Sequence, residues 1–193
     1  MHKLLPNFFI FLDHYSSEIF KNKNTSIGII YRNYKDANRE KQLIKIAKEC
    51  KKHRYKLFVS NDLKLAQKYK ADGVYVPSFN KTMHFSNLER RNILIIGSAH
   101  NQQEIHIKIK QNCSAIFLSP LFFVKKSKKF LGLHKFNYIS QLNTKKRILA
   151  LGGISEKNIK KLRLLSVKGW GGISLFKKKP AYKRPVFIKN KIF

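Results

Sequence analysis

The apolar positions of the chain fall into short runs of strand length: Phe8–Leu12, Ser26–Tyr31, Lys56–Val59, Gly73–Val76, Ile93–Gly97, Ala115–Leu118, Ile148–Leu151 and Gly169–Ser174. Most continue without polar alternation, which marks strands buried on both faces, as in an all-parallel sheet. The segments between them carry a different period. Across Asp36–Lys52, Leu43, Ile44, Ala47 and Cys50 recur at helical spacing while Lys41, Lys45, Lys48 and Lys52 take the other side, which predicts a helix with one buried face. Asp62–Tyr69, Asn101–Gln111 and Ser155–Leu165 repeat the pattern in shorter form, and Ser155 with Asn158 supplies a polar helix start.

Strand and helix therefore alternate. Eight such units favour closure over a doubly wound open sheet, so the predicted fold class is α/β, a single (βα)8 TIM barrel occupying residues 1–193. With 193 residues and 43% hydrophobic content, the chain is long enough to bury one sizeable core. The basic tail 177–193 holds Pro180 and Pro185, which oppose a regular helix and predict a truncated or irregular eighth helix.

Charge changes this picture less than its size suggests. With 41 basic and 10 acidic residues the formal net charge is +31, a value that raises nucleic acid or an anionic membrane as a partner. The lysines, however, are spread along the whole chain among many Asn, Ile, Phe and Tyr residues, a vocabulary that AT-rich codons generate without selection for binding. No nucleic-acid motif or basic-aromatic stacking platform accompanies them, so no specific nucleic-acid partner is expected. The apolar stretch Phe8–Leu12 is cut off by Asp13, far short of the roughly 20 residues that span a bilayer, and no membrane association is expected. Cys50 and Cys113 lie far apart without metal-ligand spacing, which argues against a zinc site or disulfide framework and fits a cytoplasmic protein. Assembly into a homo-oligomer is left open.

In such a barrel the chemistry belongs at the C-terminal ends of the strands. After the second run, Arg32 and Lys35 stand where a pyrophosphate could be gripped, or are simply solvated. The third is followed by Ser60-Asn61-Asp62, where Asp62 either reaches a ligand or caps the next helix, and the fourth by Pro77-Ser78-Phe79-Asn80. Gly97-Ser98-Ala99-His100 combines small residues with the Ser98 hydroxyl, and His100 is either catalytic or a structural opening to the next helix. Beyond the sixth run, Ser119–Phe123 leads into Lys125-Lys126-Ser127-Lys128-Lys129, a basic loop able to close over an anionic substrate or to remain a solvated charge run. Gly152-Gly153 and Gly171-Gly172-Ile173-Ser174 are glycine-rich at adjacent strand ends, where barrels bind phosphate through backbone N–H groups.

Taken in order, Lys70–Val76, Gly97–His100, Ser119–Phe122, Ala150–Ile154 and Gly171–Ser174 resemble the corresponding segments of the thiamine phosphate synthase family, which includes the thiazole tautomerases; the resemblance runs from Leu5-Pro6 to Phe176. It implies a magnesium-assisted transferase of thiamine biosynthesis that couples an aminopyrimidine methyl pyrophosphate to a thiazole phosphate. Pyrophosphate would leave first, giving a pyrimidine cation that the thiazole nitrogen attacks. By position, Arg32 and Lys35 match the basic pair for the pyrimidine pyrophosphate, Ser98 the pyrophosphate serine and Lys128 or a neighbour the loop lysine. Gly152, Gly153, Ile173 and Ser174 match the thiazole phosphate site, and Asn61 lies among the substrate contacts.

The departures concentrate on the metal. Ser60-Asn61 stands where the family places an Asn-Asp pair, and Asn80 where it places a second aspartate, leaving Asn61, Asn80 and, through a one-residue shift, Asp62 as magnesium ligands. Arg32 and Lys35 are one residue further apart than usual, Ile30 or Tyr31 replaces a glutamine, and Val124 and Lys126 replace loop threonines. Pro120 stands where the tautomerase branch would carry its histidine. Three functions are thus open: a synthase, or a diverged relative acting on similar phosphorylated heterocycles, in which lysines stand in for part of the metal's charge; a non-catalytic or regulatory binder of phosphorylated thiamine precursors; and a charge-driven nucleic-acid binder.

Overall fold

The computed structural model describes residues 4–21, 26–34, 36–85, 92–125, 127 and 129–172. Its strands are β1 Phe8–Leu12, β2 Ile27–Tyr31, β3 Lys56–Ser60, β4 Gly73–Val76, β5 Leu94–Ala99, β6 Ala115–Leu118, β7 Arg147–Leu151 and β8 Trp170–Gly172, closed into a barrel in sequence order. Every neighbouring pair is parallel, and β1 closes on β8 through Phe8↔Trp170, Phe9↔Gly171 and Ile10↔Gly172. Helices α1 Arg39–His53, α2 Leu63–Lys68, α3 Gln102–Lys110 and α4 Gly132–Gln141 follow β2, β3, β5 and β6, while short 3-10 segments, Ser17–Lys21 and Ile159–Leu164, follow β1 and β7. The fold is a (βα)8 barrel with few helices.

The continuous apolar runs have a direct cause. Phe9, Phe11, Ile30, Phe58, Tyr75, Ile96, Phe117 and Leu149 fill the barrel interior as one cluster. The residues between them, such as Ile10, Ile29, Val59, Val74 and Ile95, join a second cluster with Leu43, Ile46, Ile105 and Phe136 of the helices. Both faces of each strand are covered, so neither can be polar. Five aromatic rings crowd the interior, with Phe9 edge-on to Phe117 at 5.2 Å and Phe11 edge-on to Tyr75 at 5.3 Å. Glycines make room for them: a Cβ on Gly171 would lie 2.9 Å from the Phe117 ring and 3.0 Å from that of Phe11. The interior of an eight-stranded parallel barrel of this kind is filled by its own side chains.

The N-terminal end is closed by Arg147, whose guanidinium donates to the Leu5 carbonyl at 3.2 Å, the Pro6 carbonyl at 2.9 Å, the Lys168 carbonyl at 3.2 Å and the Asn7 side chain. The opposite mouth carries the residues that follow the C-terminal ends of the strands.

Sequence expectation and structure differ at three elements. The helix expected over Ser155–Leu165 is a 3-10 segment that begins only at Ile159, because the Asn158 amide turns back to bond Ser155 N at 2.8 Å and the Gly153 carbonyl at 2.8 Å. An oxygen so engaged caps nothing ahead of it. Helix α4, unread in the sequence, buries Phe136, Ile139 and Ser140 on one face. Strand β5 runs through Ala99, two residues beyond the apolar stretch, which puts Ser98 inside the sheet. The tail 177–193 and the end of the eighth run, Ile173-Ser174, lie outside the described residues.

Candidate active site at the barrel mouth

Arg32 leaves the end of β2 with its N–H bonded to the Leu12 carbonyl at 2.8 Å, and its guanidinium stands 5.8 Å from the centre of the Phe11 ring. Its fork is engaged by Asp13, which follows β1: Nε donates to Oδ1 at 3.2 Å and Nη2 to Oδ2 at 3.3 Å. Both side chains remain about 30% exposed, so the pair faces water and an incoming anion can compete for the guanidinium.

Beside it, the Tyr34 hydroxyl lies 2.7 Å from Ser60 Oγ, and its ring meets that of the largely exposed Phe79 edge-on at 6.0 Å. Burial raises the Tyr34 phenol above its ordinary pKa, against the pull of the Ser60 bond. Arg39 of α1 ties down the loop after β3, donating to the Ser60 carbonyl at 2.6 Å and to Asp62 Oδ2 at 3.0 Å. The other Asp62 oxygen accepts the Leu65 N–H at 2.9 Å, capping α2. Both carboxylate oxygens are therefore engaged, one by the cap and one by an ion pair.

Asn61 adopts φ 55°, a left-handed conformation that asparagine tolerates well. Its Oδ1 accepts from Asn80 Nδ2 at 2.5 Å, and Asn80 Oδ1 in turn accepts from the N–H and hydroxyl of Thr82, each at 2.9 Å. The loop is held from beneath by two fully buried residues at the end of α3. Lys108 Nζ donates to the carbonyls of Pro77 and Asn80, both at 2.7 Å, and to Gln111 Oε1 at 2.9 Å. Gln111 Nε2 donates to the Asn80 carbonyl at 3.0 Å and that of Thr82 at 2.7 Å. Burial pulls the Lys108 ammonium down to a pKa of about 8. Sequence reasoning missed this strut; the signal was Lys108 standing three residues after buried Ile105, on the apolar stripe of its helix.

Ser98, 4% exposed, hydrogen-bonds the Tyr75 phenol, whose pKa is pushed up by burial. His100 ties three loops together: Nδ1 lies 2.8 Å from the Ser119 carbonyl, Nε2 lies 3.1 Å from Ser78 Oγ, and its N–H donates to Glu104 Oε2 at 2.8 Å. Gly152 and Gly153, at φ +93° and +70°, pack against the loop after β6, where the Phe122 N–H reaches the Gly152 carbonyl at 3.0 Å.

Arg32, Asn61, Asp62, Asn80, Ser98, Gly152 and Gly153 thus all lie at or just beyond the C-terminal ends of their strands. The structure brings Asn61 and Asn80 into direct contact, while Arg32, Asp62 and Ser98 are partnered by Asp13, Arg39 and Tyr75. Lys35, Lys128, Ile173 and Ser174 lie outside the described residues.

A magnesium ion takes hard, preferably charged oxygens. Among the described residues no three His, Cys, Asp or Glu side chains gather to hold a metal. Asp13 and Asp62 are bound to arginines, and the amide oxygens of Asn61 and Asn80 already accept hydrogen bonds. This donor set does not fit magnesium. Nor is any helix among the described residues long and apolar enough to cross a membrane.

A family model described as thiamine monophosphate synthase matches residues 16–176. The thiamine-phosphate synthase of Prochlorococcus marinus subsp. pastoris is 33% identical over 144 residues, 71% of this chain and 40% of that protein. That of Helicobacter pylori strain Shi470 is 29% identical over 140 residues, 70% of this chain and 62% of that protein. The chain therefore spans less than two thirds of the length of these relatives. Among solved structures, a thiamine phosphate pyrophosphorylase from Pyrococcus furiosus superposes with a TM-score of 0.71 at 18% identity, covering 90% of this chain and 91% of that one, a likeness of fold.

Proposed function

The chain belongs to the thiamine monophosphate synthase family, and from that membership we propose that it joins an aminopyrimidine methyl pyrophosphate to a thiazole phosphate, releasing pyrophosphate and forming thiamine phosphate. The observation that carries the reading is the family match across residues 16–176.

In this reading Arg32 exchanges part of its contact with Asp13 for the pyrophosphate, with Lys35 and Lys128 adding charge. The Ser98 hydroxyl turns from Tyr75 to the same anion. Rupture of the carbon–oxygen bond puts both bonding electrons on pyrophosphate, and cations bound to it before the bond breaks stabilise that charge. The pyrimidine cation left behind reacts with water unless water is excluded. Phe11, Tyr75 and Phe117, packed at the barrel's axis, provide an apolar floor beneath it. The thiazole nitrogen then attacks the exocyclic carbon, its phosphate held by Gly152, Gly153, Ile173 and Ser174. We place the reaction in the cytoplasm and route no step through magnesium.

Thiamine phosphate formation from the two precursors tests the proposal. Turnover that Arg32→Ala lowers by at least about a hundredfold, the scale of a lost transition-state electrostatic contact, supports it. Absence of product with both precursors bound overturns it. One observation favours a second reading: the Asp13 and Asp62 carboxylates beside the mouth are held by arginines. A non-catalytic binder of phosphorylated thiamine precursors would bind thiazole phosphate indifferently to magnesium and turn nothing over.

A further inference from the structure

We infer that the Asn61–Asn80 amide pair, fixed from beneath by Lys108 and Gln111, replaces the divalent-cation site of this mouth and lets it hold a diphosphate group without a metal. The inference rests on the synthase reading for its ligand and on this chain's own residues for its mechanism.

The argument begins with repulsion. A carboxylate beside a diphosphate needs a cation between them, since two anions in contact cost energy that only a bridging charge removes. An amide has no such need: it is neutral, and its N–H2 donates directly to phosphate oxygen. Here both residues that the family resemblance sets at the metal position are amides, and they bond each other at 2.5 Å. For a cation to take Asn61 Oδ1, it must share that oxygen with the Asn80 N–H; to take Asn80 Oδ1, it must displace the two bonds from Thr82.

The surrounding loop resists such a change. Five hydrogen bonds from Lys108 and Gln111 fix its carbonyls or tie the two supports together, and both side chains are fully buried. The strut also carries the wrong sign for a metal. An ammonium bonded to the Asn80 carbonyl repels a cation lodged beside Asn80 and attracts an anion at the same place. Below a pH of about 8 that charge is present; burial, which lowers the pKa, also screens it less than water would. Lys108 touches no ligand and is a positioning residue.

Inorganic pyrophosphate titrated calorimetrically into the purified chain in the presence of chelator, then of magnesium, decides the matter. The expected result is saturable binding in chelator that magnesium strengthens by no more than about threefold, and no binding of magnesium alone. The doubly substituted Asn61→Asp, Asn80→Asp chain, checked for native circular dichroism, should lose pyrophosphate binding in chelator by tenfold or more and recover it with magnesium. Failure of the wild-type chain to bind pyrophosphate in chelator overturns the inference, whatever the variant does. Assays for thiamine phosphate run in parallel separate the two readings. Magnesium-dependent product sinks the inference and keeps the synthase; pyrophosphate binding in chelator with no product under either condition keeps the inference and removes the synthase.

Discussion

Gly153 offers the sharpest test of how the mouth is built, because a second glycine supplies its control. Gly153 and Gly132 share almost the same backbone, φ +70° and +69°, but a Cβ on Gly153 would lie 2.6 Å from both the Phe122 and Phe123 carbonyl oxygens, whereas one on Gly132 meets nothing within 4 Å. Alanine at either position incurs the left-handed backbone cost of about 1 kcal/mol. At Gly153 it must also push the loop after β6 away, an overpacking term of roughly 2 kcal/mol. For a chain of 193 residues, where 1 kcal/mol moves Tm by about 3 °C, the expected falls are ~3 °C for Gly132→Ala and ~9 °C for Gly153→Ala. Thermal unfolding followed by circular dichroism measures both. Because Gly153 is itself assigned to the thiazole phosphate, Gly153→Ala should also weaken thiazole phosphate binding while Gly132→Ala leaves it intact. Two variants melting within about 2 °C of each other would refute the claim that close approach, rather than backbone conformation, demands glycine here.

Lys108→Met should destabilise the chain by roughly 1–2 kcal/mol in urea titrations at neutral pH, since the Pro77 and Asn80 carbonyls keep other donors while Gln111 Oε1 loses the Lys108 bond. Lys108 also gives a pH signature: its pKa falls from 10.5 to about 8 on burial, so the unfolded chain binds more protons between these values. Its contribution to stability is then full above 10.5 and lost as pH falls through about 8, and Lys108→Met should flatten that slope. Asp62→Asn keeps the α2 cap but loses the charge facing Arg39, whereas Asp62→Ala loses both; losses of about 0.5 and 1.5 kcal/mol are expected in that order, and the reverse order would refute the cap. Burial pushes the Cys113 thiol up to about 12 and the Cys50 thiol upward as well, so neither should react with a thiol reagent at pH near 8 until denaturant is added. Rapid stoichiometric labelling of the native chain would contradict the burial of both.

The strands were the most legible part of the sequence, and for a physical reason. A closed parallel barrel covers both strand faces, so each strand writes itself as an uninterrupted apolar run such as Phe8–Leu12 or Ala115–Leu118. Helices were less legible where local polar chemistry competed with them. Asn158 reads as a helix start, yet its amide is used backward on Ser155 and Gly153, leaving only a 3-10 segment. Helix α4 follows closely on the basic run Lys125–Lys129, whose loop-like charge masks the helical spacing of Phe136 and Ile139.

At the mouth, position could be read but partnership could not. Residues just after an apolar run must emerge at the strand ends, which is why Arg32, Asn61, Asn80 and Ser98 were found from sequence order alone. Which groups face one another depends on the pairing and register of neighbouring strands, which join Asp13 to Arg32 across 19 positions and Asn61 to Asn80 across 19 more. In a chain of net charge +31, cations are abundant and carboxylates scarce, so the scarce partner decides the electrostatics. Asp13, Asp36, Glu40, Glu49, Asp62 and Asp72 each lie within ion-pair distance of a basic side chain. A metal drawn to Asp13 or Asp62 would have to take a carboxylate from an arginine and leave that arginine uncompensated, whereas a phosphorylated ligand meets the partly exposed Arg32 guanidinium and neutral amides. The excess of positive charge therefore favours anion binding by the protein's own groups over recruitment of a cation to do it.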